Sequence, residues 1–428
     1  AHDQPDVPDL AGVVSQIGNS SPGIICRNTL VLGSSIHDGE VLPPSPPGDV
    51  RGFDPHSGEL LWTFHTVPRE GEFGVDTWMN ESWKVNGNTN VWPPMSADET
   101  LGMVYLPTGV PTNNYYGGRR HGDNLFANSV VALDCETGER VWHFQTVHHD
   151  IWDYDLPAAP NLVDIEVEGE SIKALVQVTK QGFLFVFDRE TGEPVWPIIE
   201  TPVPASDVPG ELASATQPIP SWPLPFVRQG SSRDDIVDQT AVANYSFGPL
   251  YTPPTTNGLV ITPGEGGGAN WGGAAFDPET KVLYVVGFGP LTHVVTLQDG
   301  GQPDFYYGLP ELLFGPASAS PYGGDGSKIT AYNMNSGEIL WQVAGSSDGK
   351  TIGNSSVMIS GDLLYYKNSS LGTLNVFSKS DGELLREISL GGRPTGSPMT
   401  YSIDGKQFVV IALGRQDEKM ELVALSLP

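Results

Sequence analysis

The sequence predicts an all-β protein, a β-propeller of four-stranded antiparallel blades, with about six blades in this chain. Three observations carry that expectation. First, five segments repeat one sentence: GFDPHSGELLWTF at 52–64, ALDCETGERVWHF at 132–144, VFDRETGEPVW at 186–196, AYNMNSGEILWQV at 331–343 and the degenerate VFSKSDGELLREI at 376–388. Each reads as an apolar strand, a polar turn closed by glycine, and a second strand that usually carries Trp. Asp or Asn opens such a turn by bonding its own backbone, and glycine supplies the positive φ. Second, further strand pairs lie between these hairpins, so the order is strand, strand, strand, turn, strand. One such blade cannot bury both faces alone, so neighbours stack around an axis. Third, 51 Gly and 37 Pro in 428 residues disfavour long helices and favour short strands joined by turns. A sandwich or jelly roll would not repeat a turn-plus-Trp unit. Because Trp62, Trp142, Trp196 and Trp341 recur with the turn, they are expected between blades rather than along the axis.

Taken in order, GIICRNTLVLGSS, PMSADETLGMVYLPTG, KALVQVTKQGFLFVF, FDPETKVLYVVG, SGDLLYYKNSS and KQFVVIALG supply the intervening strands. The whole of 1–428 reads as a single propeller domain. A Pro-rich stretch at 194–233 reads as an extended surface strap. Residues 300–325 and 40–48 read as long loops on the propeller faces, where function usually sits. The formal net charge of −29 excludes a nucleic-acid backbone or an anionic membrane as the main partner. No run of apolar residues is long enough to span a bilayer. No signal peptide is visible, which leaves its prior removal open. Cys26 and Cys135 are too few for a disulfide scaffold or a zinc finger. They are expected to be unpaired core thiols, with a disulfide as the alternative.

The densest polar cluster is HHDIWDYD, His148 to Asp155, directly after the second repeat. The bland reading is a solvated loop with capping aspartates. Against it, Ile151, Trp152 and Tyr154 interleave with the charges, so some carboxylates should be partly desolvated, as a general base or hard-metal ligand requires. The cluster is not HExxH and no helix is expected here, which argues against a zinc protease. GEGGGANWGG, Gly264 to Gly273, precedes a strand pair rather than a helix, so it fails as a dinucleotide loop. It suits a backbone that approaches a ligand. Lys180, in VTKQGFLFV, stands at a strand end, where a solvated turn lysine is the competing reading.

The Trp-bearing repeats, with NVWPPMSADETLGMVYLPTG, TVHHDIWDYDLPAAPNL, TKQGFLFVFDRETGE, ANWGGAAFDPETK and GGRPTGSPMTYSIDGKQFVVIALG, resemble the pyrroloquinoline-quinone (PQQ) dehydrogenases. The likeness is strongest to the membrane glucose/quinate dehydrogenase branch and runs along nearly the whole chain in order. It implies an eight-bladed propeller holding PQQ and a metal, Ca²⁺ or a lanthanide, near the axis. It implies oxidation of a sugar, polyol or other alcohol outside the cytoplasm, in the periplasm or extracellularly, with electrons passed to a quinone or cytochrome. By resemblance, Asp153 is the base that takes the hydroxyl proton as hydride moves to PQQ C5, and Lys180 contacts the quinone oxygens. Trp92 is the indole on which PQQ stacks. Ser21 and Ser35 fall near the cofactor's carboxylate pocket, and Asn270 and Trp271 lie in the loop approaching the quinone. Asp38, Asp153 and Asp155 are the implied metal carboxylates. Asp155 occupies the place that distinguishes lanthanide-using members, and capping of its own loop is the bland alternative. In an extended loop Asp153 and Asp155 would point the same way.

The chain also departs from the family pattern. It opens inside what resembles the third blade. It has Val110, with Thr112 nearby, where alcohol-oxidising members carry a metal-binding Asn, and it lacks their vicinal Cys pair. The expectation is therefore a fragment, a processed part or a ring completed by a second polypeptide. The alternatives are a non-catalytic propeller scaffold and a degenerate relative that no longer binds PQQ. HHDIWDYD, Trp92 and Lys180 together favour the enzyme, since a scaffold has no use for them.

Overall fold

The structure, a computed structural model, describes residues 17–36, 44–236, 240, 242–288, 292–301, 306–312, 327–345, 355–414 and 420–426. Six antiparallel sheets follow one another as blades. The first holds Ile24–Cys26, Thr29–Leu32, Val50–Phe53 and Leu60–Phe64. The second holds Ser96–Asp98, Met103–Pro107, Ser129–Asp134 and Arg140–Gln145. The third has three strands, Asn161–Val167, Glu170–Val178 and Leu184–Asp188, with Pro194 bridging to Phe187 at its edge. The fourth holds Ala274–Asp277, Val282–Gly287, Lys328–Asn333 and Glu338–Ala344. The fifth holds Ser356–Ser360, Leu363–Asn368, Thr373–Ser378 and Leu384–Ser389. The sixth is built on Lys406–Gly414, paired with Met399–Ile403 and Glu421–Leu425.

Among the described residues five apolar cores lie between consecutive blades. Val31, Val50, Val104 and Val131 fill the first gap. Tyr105, Ala132, Leu175 and Phe185 fill the second, and Val163, Val176, Leu283 and Val285 the third. Tyr284, Ile329, Leu364 and Phe377 fill the fourth, and Leu374, Val409 and Ile411 the fifth. This is the consequence of blades that are apolar on both faces.

The repeated sentence is a latch between blades. The indole N–H of Trp62 donates to the Cys135 carbonyl (3.0 Å), and Trp142 donates to the Arg189 carbonyl (3.1 Å). Both rings lie on the next blade's turn glycine: a Cβ on Gly138 would come within 2.5 Å of Trp62, and one on Gly192 within 2.7 Å of Trp142. Trp341 packs on Gly382 in the same way. A β-bulge precedes each of these tryptophans and sets it opposite a small residue, Gly52, Ala132 or Ala331. Trp196 behaves differently. It packs half-buried against the core of the third gap, and Trp222 from the strap docks on Gly337, donating to the Ser336 carbonyl (2.7 Å).

Three other expectations change. The strap is not wholly extended, since Ile198–Pro202 and Thr216–Pro220 form a hairpin, with Ile198 and Ile219 packed against the core of the second gap. Within 300–325, Tyr306–Leu312 is a strand that pairs with His293–Asp299, which in turn pairs with Leu259–Ile261. Cys26 and Cys135 form a disulfide between the first strand of one blade and the turn of the next, with Cα atoms 5.8 Å apart. Burial alone favoured free thiols, but the latch brings that turn against the neighbouring blade's first strand.

Strand alternation gives the propeller two ends. The glycine turns join third and fourth strands and lie at one end with the latches. Connections from second to third strands, and from one blade to the next, lie at the other. That end collects HHDIWDYD, Lys180 and the Gly264–Gly273 loop.

Candidate functional site

The loop from the second blade to the third is organised by Asp150. Its carboxylate accepts from the backbone N–H groups of Trp152 and Tyr154 and from Asn128 Nδ2, all at 2.8 Å. Burial pushes its pKa up to about 6 despite these donors. The aromatic residues turn outward: Trp152 donates to the Thr252 carbonyl and Tyr154 to that of Pro263, and both pack around Tyr251. His149 forms a buried pair with Glu211 (2.7 Å). The capping reading is thus right for Asp150 alone.

Asp153 and Asp155 turn the other way, and both are almost wholly buried. Lys180 Nζ stands between them, 3.0 Å from Asp153 Oδ2 and 2.9 Å from Asp155 Oδ2, and it also donates to the Asp153 carbonyl (2.8 Å). Burial opposes the Lys180 charge, but the two carboxylates outweigh it and its pKa is raised. The carboxylates point the same way, though not through an extended loop. Asp153 is left-handed at φ 61°, and its carbonyl and carboxylate both meet the Lys180 ammonium. The remaining oxygens are held by the second blade: Asn114 Nδ2 donates to Asp153 Oδ1 (2.8 Å), and the Val110 N–H to Asp155 Oδ1 (2.7 Å).

Gly109 joins this cluster to Trp92. A Cβ there would meet Asp155 Oδ1 at 2.7 Å, so glycine is what admits the carboxylate, and the half-buried Trp92 indole borders the same position, with Cδ1 at 3.5 Å. Ser21 Oγ donates to the Trp92 carbonyl (2.6 Å), while Ser35 lies half-buried in a short strand paired with Gly18. The Gly264–Gly273 loop packs directly on Lys180: the Gly268 N–H donates to its carbonyl, and Gly267 leaves no room for a Cβ beside its side chain. Asn270 is used within that loop, donating to the Gly266 carbonyl and accepting from the Trp271 N–H. Asp38 lies outside the described residues. Among the described residues no group of three His, Cys, Asp or Glu side chains could hold a metal ion.

The structure therefore brings together Asp153, Asp155, Lys180 and Trp92, with Asn270 and Trp271 in the adjoining loop. Sequence reasoning missed Asn114 and the Val110 N–H. TNNYYGG carries no spacing signal for the first, and the second acts through its backbone. It also missed Glu211, which lies far along the strap.

An aromatic face, a lysine and two carboxylates thus lie near one another at one end of the propeller. Over residues 7–306 and 308–409 the chain matches the family described as PQQ: Glucose/ethanol/alcohol dehydrogenase, beta-propeller domain, and it belongs to that family. It is 30% identical over 471 residues to quinoprotein glucose dehydrogenase A of Acinetobacter calcoaceticus, covering 96% of this chain and 57% of that protein. It is also 30% identical to the quinate/shikimate dehydrogenase (quinone) of Acinetobacter baylyi, covering 92% of this chain and 55% of that one. The chain thus spans little more than half the length of these relatives. Among solved structures, a europium-containing methanol dehydrogenase superposes with TM-score 0.69 at 21% identity, covering 93% of this chain and 66% of that one. A quinohemoprotein alcohol dehydrogenase from Comamonas testosteroni gives TM-score 0.66 at 22% identity, covering 91% and 55%. These two establish the shared propeller fold.

Proposed function

We propose that this chain is the catalytic propeller of a PQQ-dependent dehydrogenase that oxidises a sugar, polyol or other alcohol. The observation that carries the reading is the meeting of Lys180, Asp153 and Asp155 beside Trp92 across Gly109. The residues fit the cofactor. The half-buried indole offers a stacking face, Lys180 is a fixed cation, and the glycine loop leaves a close backbone approach. When bound, PQQ would supply the two-electron acceptor. The chain's residues do the rest. Asp153 receives the proton of the substrate hydroxyl at its carboxylate, Asn114 and Lys180 hold that carboxylate in one orientation, and the Trp152–Tyr154–Tyr251 cluster keeps water from the loop beneath it.

A Ca²⁺ or lanthanide ion belongs to the same proposal, with Asp38, Asp153 and Asp155 as donors. Only the last two meet among the described residues, and an ion would have to compete with Lys180 for their facing oxygens. The proton step does not depend on it. Metal affinity of Asp155→Ala, compared with wild type by calorimetry, tests the assignment, and an unchanged affinity removes Asp155 from the set.

The acceptor would be a quinone or cytochrome, and the disulfide suits an oxidising compartment, periplasmic or extracellular. A further segment or second polypeptide would complete the ring. Gly58, the first blade's turn glycine, has nothing within 4 Å of its Cβ position, whereas Gly138, Gly192, Gly337 and Gly382 each carry an indole. Met399, Ile403 and Leu422 stand exposed on the sixth blade. Titration of the protein with PQQ, with and without Ca²⁺ or a lanthanide, followed by quinone absorbance and dye-linked sugar oxidation, tests the reading. Absence of both cofactor binding and oxidation rejects it.

A further inference from the structure

Lys367 ends the second strand of the fifth blade, at the same end of the propeller as Lys180. It is fully buried, and its Nζ has no hydrogen-bond partner. The residue directly opposite across the strand pair is Ser356, whose Oγ is also buried without a partner. Cross-strand partners share a face, so the side chains of Lys367 and Ser356 leave the sheet on the same side, each without a hydrogen-bond partner. Lys367 Nζ lies 4.5 Å from the ring centroid of Trp271. The neighbouring Gly272 is packed so tightly on the Ser355 carbonyl that a Cβ would come within 2.0 Å of it. One loop thus touches Lys180 at its glycine end and roofs Lys367 at its Trp end.

A buried charge is normally paired, and leaving one unpaired is strongly unfavourable. Here the charged neighbour has the same sign: burial and then Arg393 push the Lys367 pKa down to about 8. A small anion with oxygen acceptors would pair with both the ammonium and the hydroxyl.

We infer that Lys367 and Ser356, under Trp271, form a carboxylate-binding subsite beside the Lys180 centre. The carboxylate has two sources compatible with the proposed function, on which this inference rests: the cofactor itself, a flat tricarboxylate, or a hydroxy-acid substrate. Calorimetry with PQQ, with quinate as a carboxylated polyol, and with pyridine dicarboxylate as a bare fragment distinguishes them. The proteins are wild type, Lys367→Met and Lys367→Arg. Lys367→Met should weaken at least one of these ligands about tenfold, with Lys367→Arg retaining most of the affinity. Loss confined to PQQ and the fragment assigns the cofactor, and loss confined to quinate assigns the substrate. Lys-dependent binding of the fragment without any binding of PQQ keeps the subsite and rejects the cofactor reading. The ligand-free Lys367→Met protein should also melt higher than wild type, because an unpaired buried charge is gone; a structural lysine would give the reverse. If all three carboxylates bind the Met variant as they bind wild type, or none binds wild type, the subsite does not exist.

Discussion

Lys180 meets Asp153 twice, at its carbonyl oxygen (2.8 Å) and at its carboxylate (3.0 Å). Two contacts to one residue hold that ammonium against the left-handed turn at Asp153, where φ is 61°. The same ammonium restrains Asp155.

This arrangement makes Asp153→Asn the sharpest probe of the chemistry. The variant keeps the shape and the left-handed turn, which Asn tolerates, but removes the basic carboxylate. Turnover with PQQ and a sugar or polyol should fall by roughly 10²–10⁴, while PQQ affinity changes far less. Near-normal turnover would refute Asp153 as the base.

The latch predicts a contrast between two glycines with the same backbone conformation. Gly58 and Gly192 are both left-handed, at φ 75° and 79°. An alanine at Gly58 meets open space, while one at Gly192 runs into Trp142 at 2.7 Å. Gly58→Ala should cost about 1 kcal/mol from backbone strain alone. Gly192→Ala adds overpacking and should cost a further ~1–3 kcal/mol. Equal losses in urea titrations would mean that the indole contact contributes nothing.

Cys26–Cys135 closes a long loop between two blades, with a sequence separation of 109. Cys135→Ser should lower stability by about 2–4 kcal/mol, with reductant producing a similar loss in wild type and none in the variant. A reductant effect of equal size in the variant would show that the disulfide is not its cause.

His143 lies half-buried against Phe126 and Phe73, next to Arg140. Burial, and then Arg140, push its pKa down to about 4 from 6.5. The unfolded chain therefore binds a proton, as pH falls through 6.5, that the folded protein refuses. Stability from this group is complete above 6.5 and is lost as pH falls toward 4. Allowing for partial exposure, the loss is up to about 2 kcal/mol. His143→Gln should flatten the stability–pH slope in that window, and a slope identical to wild type would clear His143 of the effect.

The repeat of turn, glycine and Trp determined the propeller, its blade count and the lodging of Trp62, Trp142 and Trp341, because local turn chemistry and strand periodicity are written in consecutive residues. HHDIWDYD likewise announced partly desolvated carboxylates through its interleaved aromatic residues. Sequence did not decide which aspartate would cap the loop and which two would face Lys180, because that choice depends on contacts with Val110 and Asn114 of the second blade and Lys180 of the third. The Trp222 substitution for Trp196, the Cys26–Cys135 bond, the Val110 and Asn114 hydrogen bonds and the unpaired Lys367 were also invisible. Each arises where residues far apart in the chain meet across a blade interface or at the loop end of the propeller. A contact made through backbone groups or by a single side chain leaves no periodic trace, so only the stacking of the blades determines it.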